Sequence, residues 1–399
     1  MNNRRCIIGQ SGGPTVAINA TLAGIIERAN QCHFDKIYGM INGIEGLLNE
    51  NIIELSRFEQ PYELYKLIHT PAMYLGSCRF KLKNDGQQYI QKIFDILQAK
   101  EITDFFYIGG NDSMDTIKQL STYAKEINSP IHFIGLPKTI DNDLVNTMYT
   151  PGYPSACHYV ATTLSQIALD NQIYPMKSIT IVEIMGRDAG WLTASAQIVN
   201  EVYSGMIDFI YMPEVPFHTD DCVKAIQKRL KIKNHLIIAI SEGVRDEFGE
   251  CIETDKSIQV DAFGHRINAG SASYLKRQID SKVECKVRAI QLSTLQRCSA
   301  SLASELDLDN AVALGYHGVN IALENKTGVM VNINYQDKKF ITGDVDIHLV
   351  ANLVKPFPQE WIDKENALIK KEFIDYVAPL IYKSGNIELM QYSLLHAIR

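Results

Sequence analysis

A chain of 399 residues with 46% hydrophobic and 21% charged side chains is too long for one ordinary core and reads as two globular domains. Its formal charge of -7 comes without a basic block, which argues against a nucleic-acid partner, and no window is apolar enough to span a membrane. The eight cysteines are scattered, without Cys-x-x-Cys or zinc-finger spacing, and read as reduced thiols. The N-terminus runs straight into a strand and lacks the apolar stretch and cleavage site of a signal peptide, so a cytoplasmic location is expected. An anionic substrate would need a local nest of Arg and Lys.

Residues 5–8 form a short apolar strand, Gly9-Gln10-Ser11-Gly12-Gly13-Pro14 a loop, and residues 16–29 a helix by apolar spacing. Small residues let backbone amides approach a phosphate, and the helix N-terminus behind them favours negative charge. Alone, the loop fits a plain tight turn equally well, because it lacks the third glycine of a dinucleotide fingerprint and the Lys of a P-loop. Residues 71–83 hold Leu75-Gly76-Ser77-Cys78-Arg79-Phe80-Lys81, a glycine turn followed by two cations or simply a solvated basic loop. Ile90, Ile93, Phe94 and Leu97 then mark one buried stripe of a helix over 87–100. A strand at 104–108 opens onto Gly109-Gly110-Asn111-Asp112-Ser113 and a helix bearing Met114, Ile117, Leu120 and Ala124. Asn111 and Asp112 offer oxygen ligands suited to Mg²⁺ beside phosphate, with helix capping by Asp112 or Ser113 as the structural alternative.

A third strand, 131–135, ends in Pro137-Lys138-Thr139-Ile140-Asp141-Asn142-Asp143. An ammonium, a hydroxyl and two carboxylates within seven residues are what phosphoryl transfer to an alcohol requires: a base for the hydroxyl proton and cations for the phosphoryl oxygens. A lone Asp-Asn-Asp would read as a cap or turn; the two glycine loops shift that reading towards chemistry. Beyond it come a helix at 154–171, a strand at 179–184, the loop Met185-Gly186-Arg187-Asp188-Ala189-Gly190-Trp191, and strands at 208–212 and 235–240, the latter ending in Ser241-Glu242-Gly243. Arg187 and Glu242 thus sit at strand ends, where open α/β sheets bind ligands. Arg288 and Arg297 offer two more cations near strand ends, suited to a sugar phosphate, and 348–399 is motif-poor and reads as structural.

Together these motifs resemble the phosphofructokinase family, and within it the pyrophosphate-dependent branch, from Gly9 to about Leu306. The resemblance implies two doubly wound, Rossmann-like α/β domains of three layers, with the active site in the cleft between them. It suggests 1–140 plus about 298–345 as the donor domain, and 141–297 plus about 346–399 as the fructose 6-phosphate domain. It implies reversible phosphoryl transfer from pyrophosphate to the 1-hydroxyl of fructose 6-phosphate, with Mg²⁺, in a homodimer or homotetramer. By resemblance, Asp141 is the base, and Lys138, Arg79 and Asp112 complete the catalytic set. Gly12, Arg79 and Lys138 bind the donor, while Asn111 and Asp143 serve the metal. Thr139, Asp141, Met185, Gly186, Arg187, Glu242, Arg288, Thr294 and Arg297 bind the sugar phosphate.

Donor choice rests on Asp112 and Lys138, where ATP-using relatives usually carry glycine. Two like unit charges about 4 Å apart cost roughly 4 kcal/mol at an effective dielectric of 20, near a thousandfold in affinity, so a carboxylate in the room of a nucleotide's α-phosphate selects the smaller donor. Asn111 in place of a carboxylate, Thr294 in place of His or Tyr, and Cys298-Ser299 in place of a glycine pair depart from the family pattern. An ATP-dependent enzyme and a catalytically silent regulatory subunit are the alternative readings.

Overall fold

The computed structural model describes residues 4–78, 80, 82, 87–252 and 270–381. The chain divides into two compact units, Met1–Tyr153 with Arg297–Lys355 and Pro154–Gln296 with Pro356–Arg399. The crossings fall at 153/154, 296/297 and 355/356, where the sequence suggests 140/141, 297/298 and 345/346. Residues 141–152 stay with the first unit because they are stitched into it. Thr139 bridges Gly152, whose N–H donates to the Asp307 carboxylate at 3.1 Å, and the Met148 N–H donates to the Ile333 carbonyl at 2.8 Å.

The first unit begins with β1 (Arg5–Gln10), α1 (Ile18–Gln31), β2 (Lys36–Met40), α2 (Gly43–Leu48), β3 (Ile52–Glu54) and α3 (Pro61–Ile68). It continues with α4 (Gln87–Ala99), β4 (Asp104–Gly109), α5 (Asn111–Glu126) and β5 (His132–Pro137). Then come α6 (Tyr153–Asn171), β6 (Ser178–Ile184), α7 (Trp191–Ala194), α8 (Gln197–Val202), β7 (Phe209–Tyr211) and α9 (Thr219–Arg229). β8 (His235–Ser241), α10 (Ser271–Asp280), β9 (Lys286–Gln291) and α11 (Leu295–Cys298) follow. α12 (Glu305–Leu323) and the hairpin β10 (Val329–Gln336) and β11 (Lys339–Asp346) return to the first unit, and β12 (Ile362–Asp363), β13 (Leu368–Ile369) and α13 (Lys371–Ile381) to the second.

The first unit is built on a seven-stranded sheet, order β11-β10-β5-β4-β1-β2-β3, parallel except at its two edge strands. β4 is buried along its whole length, as its unbroken apolar run Phe105-Phe106-Tyr107-Ile108 demands of a central parallel strand. One face, with Ile7, Phe105, Tyr107 and Phe133, packs on α2, α4 and α5. The other, with Ile134 and Leu136, meets Gly318 of α12, so helices cover both faces. The second unit holds a four-stranded all-parallel sheet, order β7-β8-β6-β9. Ile179, Ile181, Ile238 and Ile240 face α9 and α10, while Asn171 at the end of α6 accepts from the Thr180 hydroxyl at 3.1 Å. The strands and helices expected from periodicity appear within two residues of their expected ends.

Candidate active site

Parallel pairing sets the C-terminal ends of three strands of the first unit side by side, with Gln10 in register with Ile108 and Gly109 with Pro137. The loops that follow β1, β4 and β5 therefore share one sheet edge. There the first N–H groups of α5 lack intrahelical partners and favour an anion. Side chains and backbone fasten the loops together. The Ser11 and Ser113 hydroxyls are hydrogen-bonded at 2.5 Å, and the Lys138 N–H donates to the Gly109 carbonyl at 2.9 Å.

Lys138 occupies the middle of this edge and is only 1% exposed. Its Nζ donates to the Gly13 carbonyl at 2.6 Å. A Cβ on Gly12, whose φ is +78°, would stand 3.1 Å from that nitrogen, so a glycine is required for both conformation and room. Burial pulls Lys138 from 10.5 down to about 7; Asp141 and Asp143 act to raise it, and Arg297 acts to lower it. The Nη1 of Arg297 lies 3.4 Å from where a Gly13 Cβ would be, and its buried Nε has no hydrogen-bond partner.

The two carboxylates flank a buried hinge. Asn142 takes the left-handed conformation at φ +54°, and its Oδ1 accepts from the Thr150 N–H at 3.2 Å and from Lys355 Nζ at 3.3 Å. Asp141 and Asp143 on either side stay half-buried rather than sealed. The Thr139 hydroxyl accepts from the Asp141 N–H at 3.1 Å, a local turn that aims the aspartate.

In the second unit the same logic recurs. Ile184 is in register with Ser241, so the loop after β6 and the turn after β8 share an edge. Gly186, at φ +124°, donates to Glu242 Oε1 at 3.4 Å, and its carbonyl accepts from the Ser241 hydroxyl at 2.6 Å. The Met185 N–H donates to Gln296 Oε1 at 3.0 Å. A Cβ on Gly243 would fall 1.9 Å from the Arg187 carbonyl, so glycine there lets the two loops touch. Arg187 is half-buried, and its Nε, like that of Arg297, is sealed from solvent without a partner, as befits a guanidinium shaped for an anion.

The Phosphofructokinase family model matches residues 5–322 of this chain. The chain belongs to the phosphofructokinase family. A pyrophosphate--fructose 6-phosphate 1-phosphotransferase from Xanthomonas campestris pv. campestris is 34% identical over 389 residues, covering 96% of this chain and 92% of the relative. The crystal structure of a pyrophosphate-dependent phosphofructokinase from Marinobacter aquaeolei superposes with a TM-score of 0.85 at 30% identity, covering 96% of this chain and 92% of that one. An ATP-dependent 6-phosphofructokinase from Pectobacterium carotovorum is 29% identical, covering 92% of this chain and 99% of the relative.

Several expected site residues have other surroundings than the sequence suggests. The amide of Asn111, expected at the metal, is engaged with the chain: its Oδ1 accepts from the Asn352 N–H and its Nδ2 donates to the Leu353 carbonyl, both at 2.7 Å. Arg297, expected at the acceptor's phosphate, stands beside Gly13 in the first unit. Arg288 is not at a strand end. It is the third residue of β9, in register with Thr180, and pairs with Asp170 at 3.1 Å. Thr294 follows β9 on an exposed turn, and Arg79 lies outside the described residues. No cluster of three or more His, Cys, Asp or Glu able to hold a metal occurs among the described residues. Asp141 and Asp143 do suit Mg²⁺, which characteristically takes one or two carboxylates and completes its shell with substrate phosphate and water. Sequence reading missed Lys355, a lone Lys between apolar residues whose partners lie far away in the chain.

Proposed function

We propose that this chain transfers a phosphoryl group reversibly from pyrophosphate to the 1-hydroxyl of fructose 6-phosphate. The observation that carries the proposal is the buried ammonium of Lys138, held against the Gly12-Gly13 turn and next to the helix start bearing Asp112. A desolvated cation at a glycine loop suits a compact, highly charged donor, and the carboxylate of Asp112 opposes the longer polyphosphate of a nucleotide. The similarity to pyrophosphate-dependent relatives along nearly the whole chain supports the same donor.

In this reading Asp141 accepts the proton of the 1-hydroxyl as its oxygen attacks phosphorus. The bridging P–O bond then breaks, and orthophosphate leaves with the electron pair. Lys138 and Arg297 neutralise charge on the phosphoryl oxygens, with Arg79 joining them, and Gly12 keeps the backbone close to the donor. Asp143, with Asp141 beside it, would hold Mg²⁺, which supplies charge neutralisation on the donor. Arg187, Glu242, Met185 and Gly186 bind the sugar phosphate, with Thr139 and Thr294 contributing hydroxyls. Arg288, mid-strand and facing outward, is assigned to the site of a neighbouring copy in a homodimer or homotetramer. No helix among the described residues is long and apolar enough to cross a membrane.

Initial rates with pyrophosphate and with ATP, each with fructose 6-phosphate and Mg²⁺, test the proposal. Turnover with pyrophosphate and little with ATP is expected, whereas brisk turnover with ATP alone would overturn the choice of donor. Asp112→Gly with Lys138→Gly should move preference towards ATP.

A further inference from the structure

The stretch 347–355, following the β10–β11 hairpin, holds only His348 and Lys355 as titratable side chains, yet it is bonded to two loops of the donor-side edge. Its Asn352 N–H and Leu353 carbonyl bind the Asn111 amide, and Asn352 Nδ2 donates to Asp115 Oδ1 at 2.7 Å, which joins it to the first turns of α5. On the other side Asn146 Nδ2 donates to the Leu349 carbonyl at 2.8 Å, and the Lys355 N–H donates to the Asp143 carbonyl at 2.7 Å. The Lys355 ammonium closes the arrangement, donating to the carbonyls of Met148 at 3.0 Å and Thr147 at 3.2 Å and to Asn142 Oδ1 at 3.3 Å.

If the segment only needed anchoring, an apolar side chain would do so without desolvating a charge. The ammonium instead gathers acceptors on both sides of the Asp143 turn and lies close enough to Asp143 for that carboxylate to oppose the lowering of its pKa by burial. We infer that Lys355 is a positioning residue for phosphoryl transfer: through Asn142 and the 147–148 carbonyls it locks the turn that carries Asp141 and Asp143, and 347–355 fixes that turn relative to α5. The inference deepens the reading of the site given above and rests on it. Lys355 itself touches neither donor nor acceptor. Its loss therefore lowers the fraction of bound complexes in which Asp141 is aligned, rather than the binding of either substrate.

Lys355→Met, Lys355→Arg and Asn352→Ala, assayed with whichever donor the wild type uses, test the inference. For Lys355→Met, kcat is expected to fall at least about tenfold with the KM for fructose 6-phosphate changed less than about threefold. Lys355→Arg, which keeps the charge, should recover part of the loss. The thermal midpoint, followed alongside, should not track kcat across the series. If Lys355→Met fails to fold, Asn352→Ala decides, because it leaves Lys355 in place while removing the bond to Asp115 and straining the segment at a left-handed residue, φ +66°; a kcat about threefold lower is expected, and an unchanged one refutes the inference. A kcat within about twofold of wild type for Lys355→Met, or a loss confined to KM, also refutes it. Failure of the wild type to use pyrophosphate would overturn the donor reading alone, since the ratio of variant to wild type is read with the working donor.

Discussion

Lys138 carries opposing demands: burial favours its neutral form, and the role at phosphate proposed above requires the charged one. Its ordinary value is 10.5, and in the folded chain it is about 7. Between those values the unfolded chain keeps a proton that the folded chain has lost. Stability from this group is therefore lowest below about pH 7, rises through the window, and is complete above 10.5. Catalysis under the proposed role has the opposite sign, because only the ammonium neutralises phosphoryl oxygens. We expect kcat/KM for pyrophosphate to fall as pH rises through about 7, and kcat at saturation to fall at higher pH, since bound phosphate stabilises the charge. In Lys138→Met this limb should vanish from the pH profile; its persistence at the same pH would assign it to another group. Asp141→Ser should lower kcat by about 10²–10⁴ while leaving the circular dichroism spectrum and melting temperature near wild type, because the side chain is half-buried and the turn is held by Thr139 and Asn142. Residue types and spacing made the placement of Lys138, Asp141 and Arg187 on loops after strands legible, since strand, turn and helix have short-range signatures. Asn111 looked like a ligand because its chemistry suits one, and only the fold reveals that its amide is already engaged with residues 352 and 353.

Among the elements, α1 and α12 cross so closely that side chains are excluded. A Cβ on Gly24 would stand 2.2 Å from the Val312 carbonyl, and one on Gly315 would stand 2.4 Å from that of Thr21. This crossing holds α1, and with it the Gly12-Gly13 turn, against the sheet. Gly315→Val should therefore destabilise by about 1–3 kcal/mol through overpacking, read as a melting temperature lower by about 2–4 °C for each kcal/mol. An unchanged midpoint would mean that the helices can separate at no cost. The periodic helices and the apolar central strands were legible at this scale. The β10–β11 hairpin does carry a strand signal, the apolar-polar alternation from Val331 to Gln336, that the expectations above leave unused; the segment after it has no such period and derives its structure from partners far along the chain.

For the whole molecule, two units were foreseeable from chain length and from the family resemblance, but their bounds were set by tertiary bonds such as that from Gly152 to Asp307. Arg288 poses a question at the scale of the assembly. Its place inside β9, half-exposed and paired with Asp170, suits service to a second copy. If it does so, mixing Asp141→Ser with Arg288→Ala should regenerate intact sites in hybrid dimers, with activity approaching about a quarter of wild type at equal amounts if exchange is random. No recovery after subunit exchange, verified by mass spectrometry, would confine Arg288 to its own chain.

The bond from Lys355 to Asn142 spans 213 positions of sequence. On the ribosome the aspartate turn emerges long before the residue that clamps it, so a nascent chain spends many seconds with strands formed and chemistry unfinished. Competence therefore arrives late in synthesis: a partial product ending before residue 347 could fold much of its first sheet and still lack the means to hold the proposed general base in place.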